Sequence, residues 1–426
     1  MFSATLVSIG LFILFMFTGA PVFIAMSFAS FVANEFFLSV PGTIFPQTYF
    51  ASVNNWTLLA VPFFLFSGNL MAKAGLAKTM FDLSDKLVGH IRGGFPTAVV
   101  LASCLFGSLT GSGVATALAI GAIAIPELLK RGYSREFSFG LVATSGMVGL
   151  MIPPSVYMIL FAGLSLGSVI HYFTAGYLPG FLIAACLIAM AVFLSKKEQL
   201  SAPFSWKERR AALIKALPAL SMPVFIMGSI YGGIFTATES SALSVVYTLF
   251  IMKFFFKENF NFKVIFDSAK EAATATAQIY IILGAVTAFS AVLMMLQVPQ
   301  TIGRVILHYD LSPNMLLIAI CIIYFLVSMP LDAVPVMYLL VPIFLPVTRA
   351  AGINDIHFMI LTVTMMMISL TTPPFGMVVF ALSGTLKEKI EVIFVGAMPF
   401  IIAMLVAALL LIFFPAISTF LPSLLL

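Results

Sequence analysis

Two adjacent prolines occur twice in the chain, each time inside a long apolar segment. The first pair lies in GLMIPPS (149–155) and the second in SLTTPPFG (369–376). Because proline lacks a backbone N–H and crowds the carbonyl four residues earlier, each pair should interrupt its helix. The interruptions are therefore expected to leave four carbonyl groups without partners, those of Gly149, Leu150, Ser369 and Leu370.

Free carbonyls inside a membrane protein can bind a small cation. Unsatisfied backbone groups are tolerated at membrane depth only where they are buried in protein or line a cavity. Oxygen ligands with few formal charges suit Na⁺ better than a transition metal. A helix that begins just after a break also directs N–H groups and a positive dipole end toward an anion. The breaks thus predict sites for Na⁺ and for the anionic group of a substrate.

The composition predicts a polytopic helical membrane protein. The chain has 426 residues, of which 62% are hydrophobic and 9% charged. Apolar runs of about twenty residues, the length that crosses a bilayer, recur along it. These apolar runs are expected to lie in membrane lipid. The net charge of +5 comes from short loops between them, so no nucleic acid is expected as a partner. We predict crossings at 3–32, 56–72, 137–163, 176–195, 216–231, 240–256, 272–296, 358–384 and 392–420, the first an uncleaved membrane helix.

The basic residues predict the topology. They cluster in the loops 73–92, 130–135, 196–215, 253–270 and 387–389, whereas the loops around Arg304 and Arg349 carry few cations. By the positive-inside rule the five clusters are cytoplasmic and the other two loops lie on the far side. The stretches 76–92 and 257–271 mix apolar and charged residues, which predicts amphipathic helices at the cytoplasmic interface.

This topology requires two segments to enter and leave the membrane by the same face. Segment 95–129 lies between two cytoplasmic clusters, and its centre reads GSLTGSG (107–113). Segment 314–347 lies between the two cation-poor loops, and its centre reads SMPLDAVP (328–335). Small, polar and helix-breaking residues suit the tip of a re-entrant hairpin. We predict two hairpins that enter from opposite faces.

The two halves of the chain are internal repeats. Segment 108–179 aligns with 328–399 without gaps and with fifteen identities. The identities include both prolines of the pair and the flanking Pro126, Gly132, Gly176 and Pro179. Since the charge pattern gives the copies opposite orientations, the repeat is predicted to have inverted topology. Paired broken helices in such repeats are the strongest sequence indication of a transport site near the membrane midplane.

These features, together with GGIFTATES (232–240), resemble the large membrane subunit of tripartite ATP-independent periplasmic (TRAP) transporters over nearly the whole chain. Members usually carry Gly-x-x-Thr-Pro-Thr-Glu there, and Ala237 replaces the proline. The resemblance implies an all-α elevator-type transporter in the bacterial inner membrane, with scaffold and transport domains. It also implies two partners, a small four-helix membrane subunit, expected as a separate chain, and a periplasmic substrate-binding protein.

The resemblance further implies one Na⁺ at each junction of hairpin and break. The first site would use Ser103, Ser108, Thr110 and Ser112 with Gly149, Ile152 and Pro154. The second would use Ser328 and Asp332 with Ser369, Thr372 and Pro374. Substrate contacts are expected from the hairpin tips and from the helix starts after the breaks, at Ser108, Gly111, Ser112, Ser155, Thr371 and Gly376.

The same considerations predict a division of the chain. Scaffold helices and the interfacial arm of the first repeat would occupy 1–94, and the first transport half 95–175. Scaffold helices, a central linker and the start of the second repeat would occupy 176–296. The second transport half would follow at 297–391, and a C-terminal scaffold helix at 392–426.

The predicted function is Na⁺-coupled uptake of an organic acid, sialic acid or a C4-dicarboxylate, delivered by the binding protein. One alternative is a stand-alone Na⁺/dicarboxylate symporter that needs no binding protein. Another is an intramembrane enzyme, because TGSG (110–113) is similar to the Gly-x-Ser-Gly of intramembrane serine proteases; however, no His occupies a predicted membrane core to act as base. Asp332 and Glu239 each have two interpretations, a helix cap or a carboxylate that takes part in coupling.

Overall fold

The chain is helical throughout the computed structural model, which describes residues 2–38, 40–195, 205–308 and 312–426. No strand occurs in these ranges, as the composition predicts. Lys196 and Lys197 of the third basic cluster lie outside them. The α-helices are α1 (Phe2–Phe17), α2 (Val22–Ala33), α3 (Ile44–Val53), α4 (Ala60–Lys73), α5 (Leu76–Val88), α6 (Gly94–Thr110), α7 (Gly113–Lys130), α8 (Arg135–Met147), α9 (Val156–Ser165), α10 (Val169–Leu194), α11 (Trp206–Tyr231), α12 (Ala237–Phe255), α13 (Phe262–Met295), α14 (Val298–His308), α15 (Pro313–Ser328), α16 (Ala333–Ala350), α17 (Asp355–Ser369), α18 (Met377–Leu386), α19 (Ile390–Phe413) and α20 (Ala416–Leu425).

The N-terminal segment folds back on itself. The prediction of one crossing at 3–32 is wrong, because α1 and α2 pack side by side with the Phe15 and Phe28 rings 4.6 Å apart. In one straight helix these two residues would be about 20 Å apart. The reversal occurs at Gly19, whose φ of +80° is left-handed, and at Pro21, which lacks the N–H needed to continue a helix.

The next segment contains a bend and an amphipathic helix. A 3₁₀ turn at Trp56–Leu59 and α4 together occupy the predicted crossing at 56–72. The preceding α3, which was not predicted, meets this span at an angle of 52°. The predicted amphipathic stretch 76–92 does contain a helix, α5. Its apolar face includes Met80, Phe81 and Leu83, which are buried where α5 packs on α6 and α11.

The central helices α11 and α12 end within a residue of the predicted crossings at 216–231 and 240–256, although α11 begins well before its crossing, at Trp206. The separate interfacial helix predicted at 257–271 is wrong. Residues from Phe262 onward belong to α13, a single helix of 34 residues that is about 51 Å long. The helix continues because no Gly or Pro interrupts the sequence between Phe262 and Leu283.

The C-terminal crossing predicted at 392–420 is also interrupted. Helix α19 ends at Phe413, and Pro415 starts a turn into α20. The crossing predicted at 176–195 corresponds to α10, which begins earlier, at Val169, and ends at Leu194.

The internal repeat is visible in the helix boundaries. When the two halves are aligned as in the sequence, both ends of α7 coincide with both ends of α16, and α8 and α17 begin at equivalent residues. The ends of the other paired helices, α6 with α15, α9 with α18 and α10 with α19, agree closely. The repeat predicted from the sequence identities therefore extends through five helices in each half.

The two repeats interlock in the core. Helix α16 of the second repeat packs on α9 of the first, where the Tyr338 hydroxyl donates to the Leu160 carbonyl at 3.5 Å. In the same way α18 packs on α7. Helices α8 and α19 meet without intervening side chains, because Gly140 lies against the backbone of Gly396. Each second hairpin helix thus packs against the helix that follows the other repeat's break.

Six helices in the described ranges have the length and apolar composition to cross a membrane. They are α7, α10, α11, α13, α16 and α19. Two of them, α7 and α16, are the second helices of the predicted hairpins. The predicted crossings 137–163 and 358–384 are instead each divided into two short helices.

The contact between α8 and α19 predicts a large effect of a single methyl group. In Gly140→Ala the new Cβ would overlap the backbone of Gly396 and Ala397, so the helices must move apart. We expect a loss of about 1–3 kcal/mol of stability, measured as a lower Tm of the purified protein. Gly228→Ala is the matched control, since a Cβ on this exposed glycine of α11 would meet nothing within 4 Å. An equal loss in both variants would contradict the close packing of α8 and α19.

Candidate ion and substrate site

The first hairpin tip reverses the chain within two residues. Helix α6 ends at Thr110, Gly111 adopts a left-handed φ of +61°, and Ser112 caps α7 by accepting a hydrogen bond from Ala115 N at 3.3 Å. The guanidinium carbon of Arg131 lies 3.8 Å from the centre of the Phe95 ring, so the far ends of α6 and α7 are adjacent. Helices α6 and α7 form the antiparallel pair that the sequence predicts for 95–129.

Hydroxyl groups of the first tip are tied to its backbone. Thr116 Oγ1 donates to Ser112 O at 2.8 Å and contacts Thr110 Oγ1 at 3.0 Å. Ser108 Oγ donates to Leu105 O at 2.8 Å. Because a hydroxyl that donates its hydrogen still has lone pairs, these oxygens can accept from a ligand or face a cation. Sequence reasoning missed Thr116, whose place one turn beyond the tip gave no signal.

The first double proline interrupts its helix as predicted. Helix α8 passes into a 3₁₀ turn at Val148–Leu150, and α9 begins only at Val156. The prediction that the Leu150 carbonyl lacks a partner is wrong, since the Ser155 hydroxyl donates to it at 2.5 Å and replaces the missing N–H. No described residue donates a hydrogen bond to the three other carbonyls predicted as ligands, those of Gly149, Ile152 and Pro154.

The first tip and the first break are in direct contact. The backbones of Gly107 and Gly149 lie so close that a Cβ on either would overlap the other. Gly111 lies beside the Pro154 carbonyl: a Cβ added at Gly111 would lie 3.7 Å from that oxygen. Ser103 contacts Ser145 Oγ of α8 at 3.2 Å, about one turn further from the tip. The structure therefore brings Gly149 and Pro154 of the first break against the first hairpin, with Ser103 of that hairpin in contact with α8.

The second double proline also interrupts its helix, between α17 and α18. Two expected free carbonyls have partners, which corrects the prediction: Ser369 O accepts from Thr372 N at 3.0 Å, and Leu370 O accepts from Val378 N at 3.3 Å. The turn after α17 brings these N–H groups back to the end of the helix. Among the described residues, none donates to the carbonyls of Thr372 or Pro374. Both Pro-Pro peptide bonds are cis.

The hydroxyls of the second break donate backward to their own helix. Thr371 Oγ1 and Thr372 Oγ1 both donate to Ile368 O, at 2.8 and 2.7 Å, and Ser369 Oγ donates to Met366 O at 3.0 Å. All three side chains are buried. Gly376, the remaining predicted contact, precedes the first residue of α18 and lies against the Leu370 carbonyl.

The second hairpin tip contains a buried hydroxyl without a partner. Helix α15 ends at Ser328, whose Oγ is buried and bonds to no described residue. Asp332 accepts from Ala333 N at 2.7 Å and caps α16, in agreement with its interpretation as a helix cap. Helices α15 and α17 pack together, with Phe325 and Met365 lining one groove. No described hydrogen bond joins this tip to the second break.

The helix that begins at the second tip packs on the first repeat. Helix α16 lies against α9, which begins directly after the first break. The Tyr338 hydroxyl of α16 donates to the Leu160 carbonyl of α9 at 3.5 Å. Sequence reasoning missed Tyr338, since nothing in the sequence pairs positions so far apart.

Glu239 of the GGIFTATES stretch is a helix cap. Thr236 and Glu239 form a reciprocal capping box at the start of α12, with Glu239 Oε2 accepting from Thr236 N at 2.8 Å. Hydrogen bonds from the backbone and hydroxyl of Thr236 hold the pKa of Glu239 below its ordinary value. The carboxylate is exposed, and Thr238 next to it donates to Trp56 O at 3.0 Å. These contacts confirm the interpretation of Glu239 as a helix cap.

The fold is similar to that of a solved transporter. The YdaH transporter of Alcanivorax borkumensis superposes with a TM-score of 0.60 over 87% of both chains, at 12% sequence identity. This identity supports the likeness of fold alone.

Sequence relatives are more specific. The C4-dicarboxylate TRAP transporter large permease DctM of Pseudomonas aeruginosa is 35% identical over 88% of both chains. The ectoine/5-hydroxyectoine large permease UehC of Ruegeria pomeroyi is 34% identical over 89% of both. The sialic acid large permease SiaM of Vibrio cholerae is 31% identical over 96% of both. The family profile described as "Tripartite ATP-independent periplasmic transporter, DctM component" matches residues 9–417. The chain therefore belongs to the DctM family of TRAP transporter large permeases, which are multi-pass membrane transporters of organic acids and not enzymes.

Proposed function

We propose that this permease takes up a carboxylate-bearing organic acid by Na⁺-coupled transport, with the substrate delivered by a periplasmic binding protein. The observation that carries the proposal is the contact between the first tip and the first break. There, carbonyls without hydrogen-bond donors lie beside buried hydroxyls. Such oxygens are stable at membrane depth when a cation or substrate completes their coordination.

The first Na⁺ would be held by neutral oxygens. The carbonyls of Gly149, Ile152 and Pro154 are free to bind it. The hydroxyls of the first tip supply further ligands, from Ser108, Thr110 and Ser112, with Ser103 supporting the site from one turn away. Neutral oxygen ligands match the chemistry of a hard monovalent cation.

The second Na⁺ would be held in part by charge. The carbonyls of Thr372 and Pro374 and the unpartnered Ser328 hydroxyl supply neutral ligands. Asp332 keeps lone pairs beyond the one that caps α16, so its carboxylate can still contribute. Ser369 would take part through its hydroxyl, because its carbonyl already accepts from Thr372 N.

The substrate would lie between the tips, at the starts of α7, α9 and α18. N–H groups at these helix ends and the hydroxyls of Ser108, Ser112, Ser155 and Thr371 can bind a carboxylate, and Gly111 and Gly376 leave room beside them. The substrates in the names of the three relatives, C4-dicarboxylate, ectoine and sialic acid, all carry a carboxylate. Sialic acid and C4-dicarboxylates remain the candidates for this chain.

The transport step would be a rigid-body movement. In this elevator mechanism the two hairpins would be re-entrant and would move with the broken helices against a scaffold made of the other helices, following the division predicted from the sequence. The interlocked packing of α7 with α18 and of α9 with α16 supports movement of both halves as one body. A small membrane subunit would support the scaffold in the inner membrane.

The need for partners separates this proposal from a stand-alone symporter. Proteoliposomes with the permease, its small subunit and its binding protein should accumulate labelled sialic acid or succinate under an inward Na⁺ gradient. Omitting the binding protein or replacing Na⁺ with K⁺ should abolish uptake. Uptake by the permease alone in a Na⁺ gradient would favour the stand-alone symporter, and equal uptake in K⁺ would contradict Na⁺ coupling.

The second break gives a mutational test. Pro373→Ala restores an N–H that can extend α17 and withdraw the break carbonyls, so the Na⁺ concentration for half-maximal uptake should rise roughly tenfold, equivalent to about 1.4 kcal/mol. Thr372→Ala should have a smaller effect, because the carbonyl of residue 372 is retained. Pro346→Ala, an exposed proline within α16, is the control and should leave Na⁺ dependence unchanged. Unchanged uptake by Pro373→Ala would contradict the Na⁺ sites.

A further inference from the structure

Two ion pairs occupy equivalent places in the two repeats, with inverted charges. Arg135 is the first residue of α8, and Asp355 is the first residue of α17. These positions correspond in the alignment of the two repeats, yet one is a cation and the other an anion. Each forms an ion pair with a residue of opposite charge. Both halves thus have an ion pair at this place, although the residues that form it differ.

The Arg135 pair anchors the end of α18. Arg135 Nη1 donates to Glu388 Oε2 at 2.7 Å, and the Glu388 side chain is only 9% exposed. Glu388 lies in the turn between α18 and α19, where Lys387 has a left-handed φ of +55°. Ser383 Oγ of α18 donates to the Glu388 carbonyl at 2.6 Å. The start of α8 is thereby fixed to the end of the helix that follows the second break.

The Asp355 pair anchors the end of α9. Arg349 donates to Asp355 through Nη2 at 2.6 Å and through Nε at 3.0 Å. The same Nη2 donates to the carbonyl of Ser165, the last residue of α9, at 3.1 Å. Ser165 Oγ in turn contacts the Tyr172 hydroxyl of α10 at 2.7 Å. The start of α17 is thereby fixed to the end of the helix that follows the first break.

Each tie acts on the break of the opposite repeat. Helices α9 and α18 have ten residues each, so they are about 15 Å long. A Pro-Pro break precedes the first turn of each helix, and an ion pair holds its last turn. Because a short helix moves as a rigid rod, an ion pair at its last turn restrains the movement of the break at its other end.

An exposed ion pair usually adds little to stability. If the role of these pairs were purely structural, replacing them would change Tm slightly and leave the affinity for Na⁺ unchanged. Glu388 differs from an ordinary surface residue because its carboxylate is nearly buried and would lose its charged partner if Arg135 were replaced. The placement at the ends of the two break helices, in both repeats, indicates a role in geometry.

We propose that Arg135–Glu388 and Arg349–Asp355 are positioning pairs that hold α18 and α9, the helices that follow the two breaks, and thereby set the affinity for Na⁺. This inference rests on the proposed Na⁺ sites. Arg135–Glu388 acts on the second break through α18, and Arg349–Asp355 acts on the first break through α9. Neither pair contacts the ion.

The test is a Na⁺ titration of the purified full-length chain. The rise in Tm is measured against NaCl, with choline chloride keeping the ionic strength constant. In Glu388→Gln and in Asp355→Asn we expect the half-saturating Na⁺ concentration to rise at least fivefold. The charge-swapped double variant Arg135→Glu/Glu388→Arg should return it to within twofold of wild type. Glu127→Gln, which removes the exposed Lys130–Glu127 pair of 2.6 Å on α7, is the matched control and should not change it.

The outcomes distinguish failure of the positioning role from failure of the proposed Na⁺ sites. A wild-type chain whose Tm responds equally to NaCl and choline chloride overturns the proposed Na⁺ sites themselves. A wild-type response with unchanged half-saturation in Glu388→Gln and Asp355→Asn overturns only the positioning role. A lower Tm without Na⁺ but normal half-saturation shows a structural role and also overturns it. If the double variant does not fold, the half-saturating Na⁺ concentrations of Glu388→Gln and Asp355→Asn still test the positioning role.

Discussion

A backbone carbonyl in a membrane interior needs a partner, and most of this architecture follows from how that need is met. Two double prolines remove the N–H groups that would have served their helices. Some of the affected oxygens find donors nearby, as Leu150 finds the Ser155 hydroxyl. Those that do not lie within the two short breaks, at Gly149, Ile152, Pro154, Thr372 and Pro374. The first break is buried in the protein against the first hairpin, whereas Pro374 of the second break is exposed.

The breaks and the repeat were predictable because they depend on local chemistry. Proline acts on its own helix. The ungapped alignment pairs equivalent residues of the two repeats, so the matching boundaries of α7 and α16 follow from it. The partners of individual carbonyls were not predictable. Whether Leu370 O stays free depends on Val378 N returning from the next helix, which is a property of the folded turn. The proline rule identifies where a helix ends but not which donors reach the exposed end.

Errors at the level of whole helices have equally definite causes. The segment 3–32 has the length and hydrophobicity of one span, and a prediction from hydropathy takes no account of Gly19 and Pro21, where the chain reverses. At 257–271 the mixture of charged and apolar residues predicts a separate helix, although the sequence there has no Gly or Pro that would end one. Contacts between repeats, such as the Tyr338 hydroxyl with the Leu160 carbonyl, were beyond sequence reasoning because they depend on how the halves pack.

The two proposed ion sites are related by the repeat but are not chemically equivalent. The first tip offers hydroxyls that are already bonded to one another or to backbone, and its break offers neutral carbonyls. The second tip offers an unpartnered hydroxyl and a carboxylate. At low effective dielectric a formal charge near a cation outweighs a neutral dipole, so a cation at the second site would be stabilised more strongly. The first site would depend instead on the close approach of the Gly107 and Gly149 backbones, which holds its break against the first hairpin. On this proposal the repeat preserves the breaks, while the side chains at the tips would place one junction under electrostatic and the other under steric control.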